Sequence, residues 1–284
     1  MLHKNQMIYA IKNDKLVNIE DVESGLKCGC ICPSCSKPLI ARKGNKKIHH
    51  FAHRSSDNCA YGYQTSLHLL AKEIIATSKK FVIPEVSIHF HSYKEGEIIS
   101  NAKEIKIDKV ELEKTFDSII PDIVIYSGGK KLFVEIFVTH QIDDQKLAKL
   151  KKANISTIEI DLSKINRLIT RQELTDILLN DTPEKKWKYN AVLSKYERLF
   201  FHYAVKIQTV HHGFAWHTAY CPIGKRIWRN KTYANILDDC TICDFCFWIT
   251  DGDDEFDENR VVFCLGESLV SSIDDIKKEL SSKK

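Results

Sequence analysis

Two acidic residues interrupt apolar, strand-like runs in the segment PDIVIYSGGKKLFVEIFVTH, residues 121–140. Asp122 opens the first run, and Glu135 lies in the middle of the second. The intervening sequence GGK is a turn signal, so the two runs are expected to form a β-hairpin. An ionised carboxylate in an apolar setting is costly unless it has a partner. The two acids therefore need a partner, and a bound cation is one that fits them.

In such a hairpin the side chains of Asp122 and Glu135 are expected on one face, close enough to repel each other unless a cation lies between them. Mg²⁺, or Mn²⁺ in its place, prefers oxygen ligands and is usually held by one or two carboxylates. A metal in this position activates water and stabilises charge on an attacked phosphodiester. The pattern predicts a magnesium site with hydrolytic chemistry. The alternative is an edge hairpin whose carboxylates face solvent.

Two residues that follow Glu135 are further candidates for this site. Strand alternation places Thr139 on the same face as Glu135, so its hydroxyl is expected to line the site. His140 comes at the end of the strand, where it would contact phosphate or water, although a lone histidine is more often structural.

The elements that must position the acids have a mixed order. Residues 66–80, SLHLLAKEIIATSKK, carry apolar residues at helical spacing, and Asp143 opens a basic amphipathic helix. KFVIPEVSIHFHSY and EIKIDKVEL are typical of strands, as is ISTIEIDL, which precedes the helical TRQELTDILLND. DTPEKKWKYN is expected to be a linker or a departing helix. Helix, antiparallel strands, helix, strand and helix in that order predict a mixed α/β core.

A cysteine- and histidine-rich segment precedes the core. In a cytosolic chain such a cluster indicates a metal rather than disulfides. The knuckle CPSC and the later HHFAH predict a tetrahedral structural zinc site formed by Cys32, Cys35, His50 and His53. Cys30 and Cys59 are reserve ligands, and His49 is expected to point away. A structural zinc with four protein ligands has no open position, so this module is expected to be scaffold.

A second cluster lies near the C-terminus, around the sequence CTICDFC. Four thiolates there predict a further zinc site of the zinc-ribbon kind; the predicted ligands are Cys221, Cys240, Cys243 and Cys246. Cys264 is an alternative to Cys246 as the fourth ligand.

The acids and the order of elements resemble the PD-(D/E)xK nucleases, whose core has restriction-endonuclease-like topology. In that family two acids bind metal, and a lysine two residues after the second acid assists the water. Pro121-Asp122 and Glu135 match the motif, but Phe137 occupies the lysine position. The resemblance implies a relocated lysine. One candidate is Lys72, which shares a helix face with His68; the other is Lys146, and both could instead be solvated lysines.

A closer resemblance is to the CoiA-like competence-protein family. It is carried by CPSCSKPLIARKGNKKIHHFAH, by LHLLAKEI and by the PD and EIFVTH segments, which span about residues 10–160. The family is regarded as a nuclease group with an N-terminal zinc module. There the helix bearing His68 and Lys72 lies beside the acids, which favours Lys72 over Lys146. The name implies DNA uptake and recombination, and relatives of such nucleases also serve in anti-phage defence.

Composition bounds the remaining possibilities. The chain has 284 residues, a formal net charge of +4 and no apolar run long enough to span a bilayer. Its N-terminus lacks the apolar centre of a secretory signal, so a soluble, cytoplasmic protein is expected. The expected domains are a zinc module (1–62), a nuclease-like core (63–183) and a cysteine-rich C-terminal domain (184–284).

The function that these features predict is a Mg²⁺-dependent DNA endonuclease. One alternative is a DNA-binding module that has lost its chemistry, which the missing lysine at position 137 favours. Another is an interaction subunit whose zinc modules dock a protein partner or a second copy of the chain. The sequence does not distinguish DNA from RNA, or single strands from double strands.

Overall fold

The computed structural model of the chain describes residues 7–54, 59, 61–91, 96–139, 141–166, 168–250 and 260–282. The strands are β1 (Tyr9–Lys12), β2 (Lys15–Asn18), β3 (Leu39–Arg42), β4 (His50–His53), β5 (Lys80–Ile83), β6 (Val86–Ile88), β7 (Glu97–Ser100), β8 (Lys103–Lys106), β9 (Lys109–Leu112), β10 (Ile123–Ser127), β11 (Lys130–Phe137), β12 (Thr157–Asp161), β13 (Lys185–Tyr189), β14 (Val205–His212), β15 (Ala215–Thr218), β16 (Arg226–Trp228), β17 (Lys231–Tyr233), β18 (Cys246–Ile249) and β19 (Val261–Cys264). The helices are α1 (Gly62–Thr77), α2 (Asp144–Ala153), α3 (Arg171–Leu179), α4 (Ala191–Tyr203) and α5 (Ile273–Ser282). Within the described ranges, no helix has both the length and the apolar character needed to cross a membrane.

Backbone contacts divide the chain into two compact units. The first unit comprises Met1–Pro84 and Ala102–Asn190, and the second comprises Glu85–Asn101 and Ala191–Lys284. The chain leaves the first unit after Pro84, which interrupts the run predicted as one strand and separates β5 from β6. Compact units and domains are different divisions of a chain, so the domain boundaries at 62 and 183 stay a prediction.

A five-stranded mixed sheet forms the centre of the first unit. Its strand order is β13-β12-β11-β10-β9, and every pair is antiparallel except β11 and β12, which α2 connects. Parallel neighbours need a crossover of this kind, usually helical. The predicted mixed α/β class is therefore confirmed.

The predicted hairpin is the β10–β11 pair. Its register sets Ile123 opposite Val134, and its turn contains Gly128 and Gly129 with φ of 53° and 75°. A left-handed backbone at both turn positions favours glycine, which explains why the GGK signal is reliable here.

Both faces of this sheet are covered. On one face, side chains of β10, β11 and β12 pack with α1 and α3. On the other face, Val124 and Phe133 pack with Leu150 of α2. As a result β11 is buried without interruption over residues 132–136, and Glu135 lies inside that run.

The segment predicted as a linker or departing helix is instead β13, so that prediction is wrong. Lys185 is only 4% exposed, and its Nζ donates a hydrogen bond to Val82 O at 2.7 Å and lies 4.3 Å from the centre of the Phe81 ring. Trp187 Nε1 donates to Pro84 O at 3.3 Å. These long-range partners allow a lysine-rich sequence to form the edge of the sheet.

The second unit has its own sheet and two buried clusters. The sheet has the order β15-β14-β19-β18. One cluster contains five cysteines with apolar neighbours, and the other is aromatic and apolar, with the Phe200 and Phe247 rings stacked at 5.3 Å and residues of α4 and α5 around them.

Candidate active site and metal centre

The hairpin brings the two predicted acids to one cavity. Asp122 comes immediately before β10, and its Oδ2 accepts a hydrogen bond from the Ile136 amide at 2.9 Å, next to Glu135 on β11. Both carboxylates line a cavity of about 500 Å³. Cross-strand neighbours in an antiparallel pair share a face, which is why the hairpin register joins these residues.

Asp122 is held in its ionised form. His68 Nε2, from α1, donates to Asp122 Oδ2 at 3.0 Å. Burial alone would raise the pKa of Asp122, but the hydrogen bond and charge of His68, with the Ile136 amide, bring that pKa below its ordinary value of 3.8. Asp122 is therefore a carboxylate at neutral pH.

The pKa of Glu135 is shifted in the opposite direction to that of Asp122. It is 7% exposed, and Lys146 Nζ of α2 lies 2.7 Å from its Oε1. Burial, together with the charge of Asp122, raises the pKa of Glu135 from 4.5 to about 7, although Lys146 acts in the other direction. Two acids whose pKa values are driven apart at one cavity are characteristic of functional sites.

Each acid has one of the two candidate lysines close to it. Lys72 is 4% exposed, and its Nζ lies 2.5 Å from Glu113 Oε1 and 4.0 Å from Asp122 Oδ1. Lys146 Nζ also donates to Ile120 O at 3.3 Å and lines the cavity. Lys72 is therefore not a solvated helix lysine.

The other predicted residues near Glu135 have mixed placements. Thr139 is exposed and lines the cavity, two residues beyond the end of β11. Phe137, at the position of the motif lysine, lines it too. His140 lies outside the described residues. The catalytic roles of all these residues stay predictions.

Sequence reasoning missed Glu159 of β12. This residue pairs in parallel register with Glu135, is 4% exposed and lines the same cavity. Its carboxylate accepts hydrogen bonds from the Ile142 amide and from Lys188 Nζ, both at 3.0 Å. The signal was present, since IEI in β12 sets an acid among apolar residues in the same way as VEI in β11.

A second candidate centre, which could hold zinc, lies in the N-terminal segment. Its ligand atoms all lie within 4.8 Å of one another, and they belong to Cys32, Cys35, His53 and Cys59. Cys35 Sγ is 3.2 Å from His53 Nε2, and Cys32 Sγ is 3.7 Å from Cys59 Sγ. Three thiols and one imidazole are a ligand set typical of structural zinc.

The predicted ligand His50 lies outside this cluster, and the reserve residue Cys59 belongs to it. His50 and His53 lie three positions apart on β4, so strand alternation points their rings to opposite faces. The His50 ring donates from Nδ1 to Ile48 O at 2.8 Å. Of the remaining candidates, Cys30 donates its thiol to Cys28 O, and the His49 ring contacts Glu20 Oε1 at 2.8 Å.

The C-terminal cysteines are buried together but are not so closely grouped. Five of them line one small cavity in the second unit: Cys221, Cys240, Cys243, Cys246 and Cys264. In the part of the chain that the structure describes, the set whose ligand atoms lie within 4.8 Å is the N-terminal one. The predicted C-terminal zinc site stays a prediction.

Comparison with known proteins gives one match. Residues 17–62 match the family model described as "Competence protein CoiA, N-terminal domain". Neither the curated proteins nor the solved structures give a match. The matched residues include all four ligands of the candidate zinc centre and end where α1 begins.

Proposed function

Since its N-terminal domain makes this chain a member of the CoiA-like family, we propose that it is a metal-dependent nuclease that cuts DNA in a competence-related process. The observation that supports this function is the meeting of Asp122 and Glu135 in one cavity, each with a basic side chain beside it. A role in DNA uptake, in recombination or in defence against phage would use the same chemistry.

The residues present fit a divalent cation. Mg²⁺ and Mn²⁺ take oxygen ligands, and Asp122 and Glu135 offer two carboxylates on one cavity wall. The repulsion that contributes to the raised pKa of Glu135 is relieved by a cation shared between them. When bound, the metal supplies an activated water and stabilises negative charge on the attacked phosphodiester.

The chain's own residues prepare the site. His68 and the Ile136 amide fix the orientation of the Asp122 carboxylate. Lys146 lines the cavity, so its ammonium is placed to contact a phosphate. Lys72 is enclosed between Glu113 and Asp122, which makes it a positioning residue that holds the Asp122 charge.

We assign this arrangement to a PD-(D/E)xK-type core. Support comes from the order helix, acid-bearing hairpin, helix and parallel strand, with the acids at the expected places. The motif lysine is replaced by Phe137, and Lys146 on the following helix takes over its charge.

Cleavage assays test the function directly. Supercoiled plasmid, linear duplex and single-stranded DNA are incubated with the full chain and Mg²⁺ or Mn²⁺. Glu135→Gln and Asp122→Asn should abolish cleavage, while Glu111→Gln, on the neighbouring strand β9 and not among the residues lining the cavity, should retain it. Equal cleavage by the wild type and Glu135→Gln would show that the Glu135 carboxylate is not needed for cleavage.

A second candidate function is DNA binding without cleavage. The pairing of Glu135 with Lys146, and of Asp122 with His68, favours it, because both acids are already neutralised within the chain. Calorimetric titration of metal-free sites with Mg²⁺ separates the two functions. A nuclease should bind Mg²⁺ through these acids and release or absorb heat in the titration. A DNA-binding module should bind DNA in a salt-sensitive way and show no heat of Mg²⁺ binding.

We assign a structural zinc to the N-terminal cluster. With four protein ligands the ion would have no open position for a substrate, so it would stabilise the small strand pairs β1–β2 and β3–β4 rather than take part in cleavage.

A further inference from the structure

The five C-terminal cysteines form part of a buried core. Each is between 2% and 8% exposed, and they pack with apolar neighbours such as Ile207, Ile236 and Val262. All five are free thiols. They come from well-separated positions: the loop after β15, the turn before β18, the start of β18 and the end of β19.

Two of these sulfurs each accept a hydrogen bond from a backbone amide. The Lys225 amide donates to Cys221 Sγ at 3.4 Å, in a turn closed by the Gly224 amide on Cys221 O at 3.1 Å. The Gly266 amide donates to Cys264 Sγ at 3.4 Å. Amide donors of this kind favour the thiolate, which is the form that binds a metal.

Gly266 shows how closely the chain fits around the second of these sulfurs. A Cβ atom at this position would lie 3.3 Å from Cys264 Sγ and 3.1 Å from Ile223 Cγ2. The glycine therefore allows the loop that carries Cys264 to approach the loop that carries Cys221.

Two further cysteines lie close together along the chain. Cys240 and Cys243 are three residues apart, and the Cys243 amide donates to Cys240 O at 3.1 Å, which closes a backbone turn between them. Two cysteines at this spacing are a pair typical of structural zinc sites.

Cys246 has a different setting. It begins β18 directly opposite Cys264 in the β18–β19 pair, and within the described ranges no backbone amide donates to its sulfur, in contrast to Cys221 and Cys264. The Leu265 amide donates to Phe245 O at 2.7 Å across this pair. The cavity that the cysteines share has room of about 20 Å³, enough for one small ion and no larger ligand.

We propose that Cys221, Cys240, Cys243 and Cys264 bind one Zn²⁺ in the second unit, with Cys246 a buried thiol outside the coordination sphere. Without a cation these buried groups are neutral thiols, and Zn²⁺ would bind them as four thiolates in tetrahedral coordination, with release of their protons. No fifth ligand is needed, so the site is structural. It is separate from the acids and from the N-terminal zinc centre.

Zinc content of the purified full chain, measured by inductively coupled plasma mass spectrometry, tests the site. The wild type should carry two zinc ions. Cys221→Ser and Cys264→Ser should each carry one, and the matched control Cys246→Ala should keep two. Cys35→Ser, which removes the other centre, should still retain one.

A second measurement remains informative if the serine variants do not fold. Zinc K-edge X-ray absorption of the wild type should fit seven sulfur ligands and one nitrogen over the two sites together. One zinc per chain with three sulfurs and one nitrogen would overturn the assignment. Loss of zinc from Cys246→Ala, or a Cys246–Cys264 disulfide detected by mass spectrometry after alkylation, would overturn it as well.

Discussion

Replacing Glu135 by glutamine should stabilise the metal-free protein at alkaline pH. The pKa of Glu135 is about 7 in the fold against an ordinary value of 4.5, chiefly because the side chain is buried. A group whose pKa is raised by folding contributes stability below its unfolded pKa and loses it as pH rises through the folded pKa. The wild type should therefore lose stability between about pH 4.5 and pH 7, and the glutamine variant should not.

The size of the effect follows from the pKa difference. The pKa of Glu135 rises from 4.5 to about 7 on folding, and each pKa unit corresponds to 1.36 kcal/mol. The free energy of unfolding of the glutamine variant at pH 8 should therefore exceed that of the wild type by about 3 kcal/mol. For a unit of this size that corresponds to an increase of about 6–12 °C in the unfolding temperature. The side chain is largely buried, so solvent screening reduces this value little.

Thermal unfolding followed by circular dichroism at pH 5 and pH 8 measures the effect. The buffers contain neither Mg²⁺ nor chelator, so that zinc is retained. Glu111→Gln is the control, because Lys109, with Tyr126 and Lys114, lowers the pKa of Glu111 to about 2. This variant should be no more stable than the wild type at pH 8. If Glu135→Gln gains nothing at pH 8, or gains equally at both pH values, the electrostatic description of Glu135 is wrong.

Three further outcomes are expected. Cys59→Ser should lose the N-terminal zinc while His50→Gln keeps it, as zinc content per chain will show; zinc loss from both variants would contradict the ligand set. Lys146→Met should move the acid-side midpoint of a Glu135-dependent binding or cleavage profile to higher pH, because Lys146 lowers the pKa of Glu135 and its removal delays ionisation of that carboxylate; an unchanged midpoint would show that Lys146 does not act on Glu135. Glu159→Gln should weaken cleavage less than Glu135→Gln, since its carboxylate is already held by protein donors, and plasmid nicking rates compare them.

Local patterns in the sequence were sufficient to predict the strands that carry the acids and the helices next to them. The hairpin, α2 and α3 follow from strand and helix periodicity, and an acid within an apolar run identified Asp122 and Glu135. Helix α1 was found as well, although it begins at Gly62, about one turn before the predicted start at residue 66, with Tyr61 at the N-cap and no side-chain hydrogen bond. Boundaries of this kind depend on tertiary contacts rather than on the cap sequence alone.

Contacts between distant residues account for what the sequence did not predict. The charged β13 is stabilised by Lys185 and Trp187, whose partners are about a hundred residues earlier in the chain. Identifying the candidate zinc ligands requires knowing which way the His53 side chain points from its strand and where the chain returns at Cys59, whereas spacing alone favours His50. Strand alternation within HFAH would already have excluded one of the two histidines.

The central claim is that Asp122 and Glu135 share one divalent ion. Anomalous diffraction from a crystal of the full chain soaked in Mn²⁺ tests it most directly. We expect one anomalous peak in the cavity, about 2 Å from an oxygen of each carboxylate, with the Lys146 ammonium displaced from Glu135. A soaked crystal with no peak there, or with manganese bound to only one of the two acids, would contradict the account.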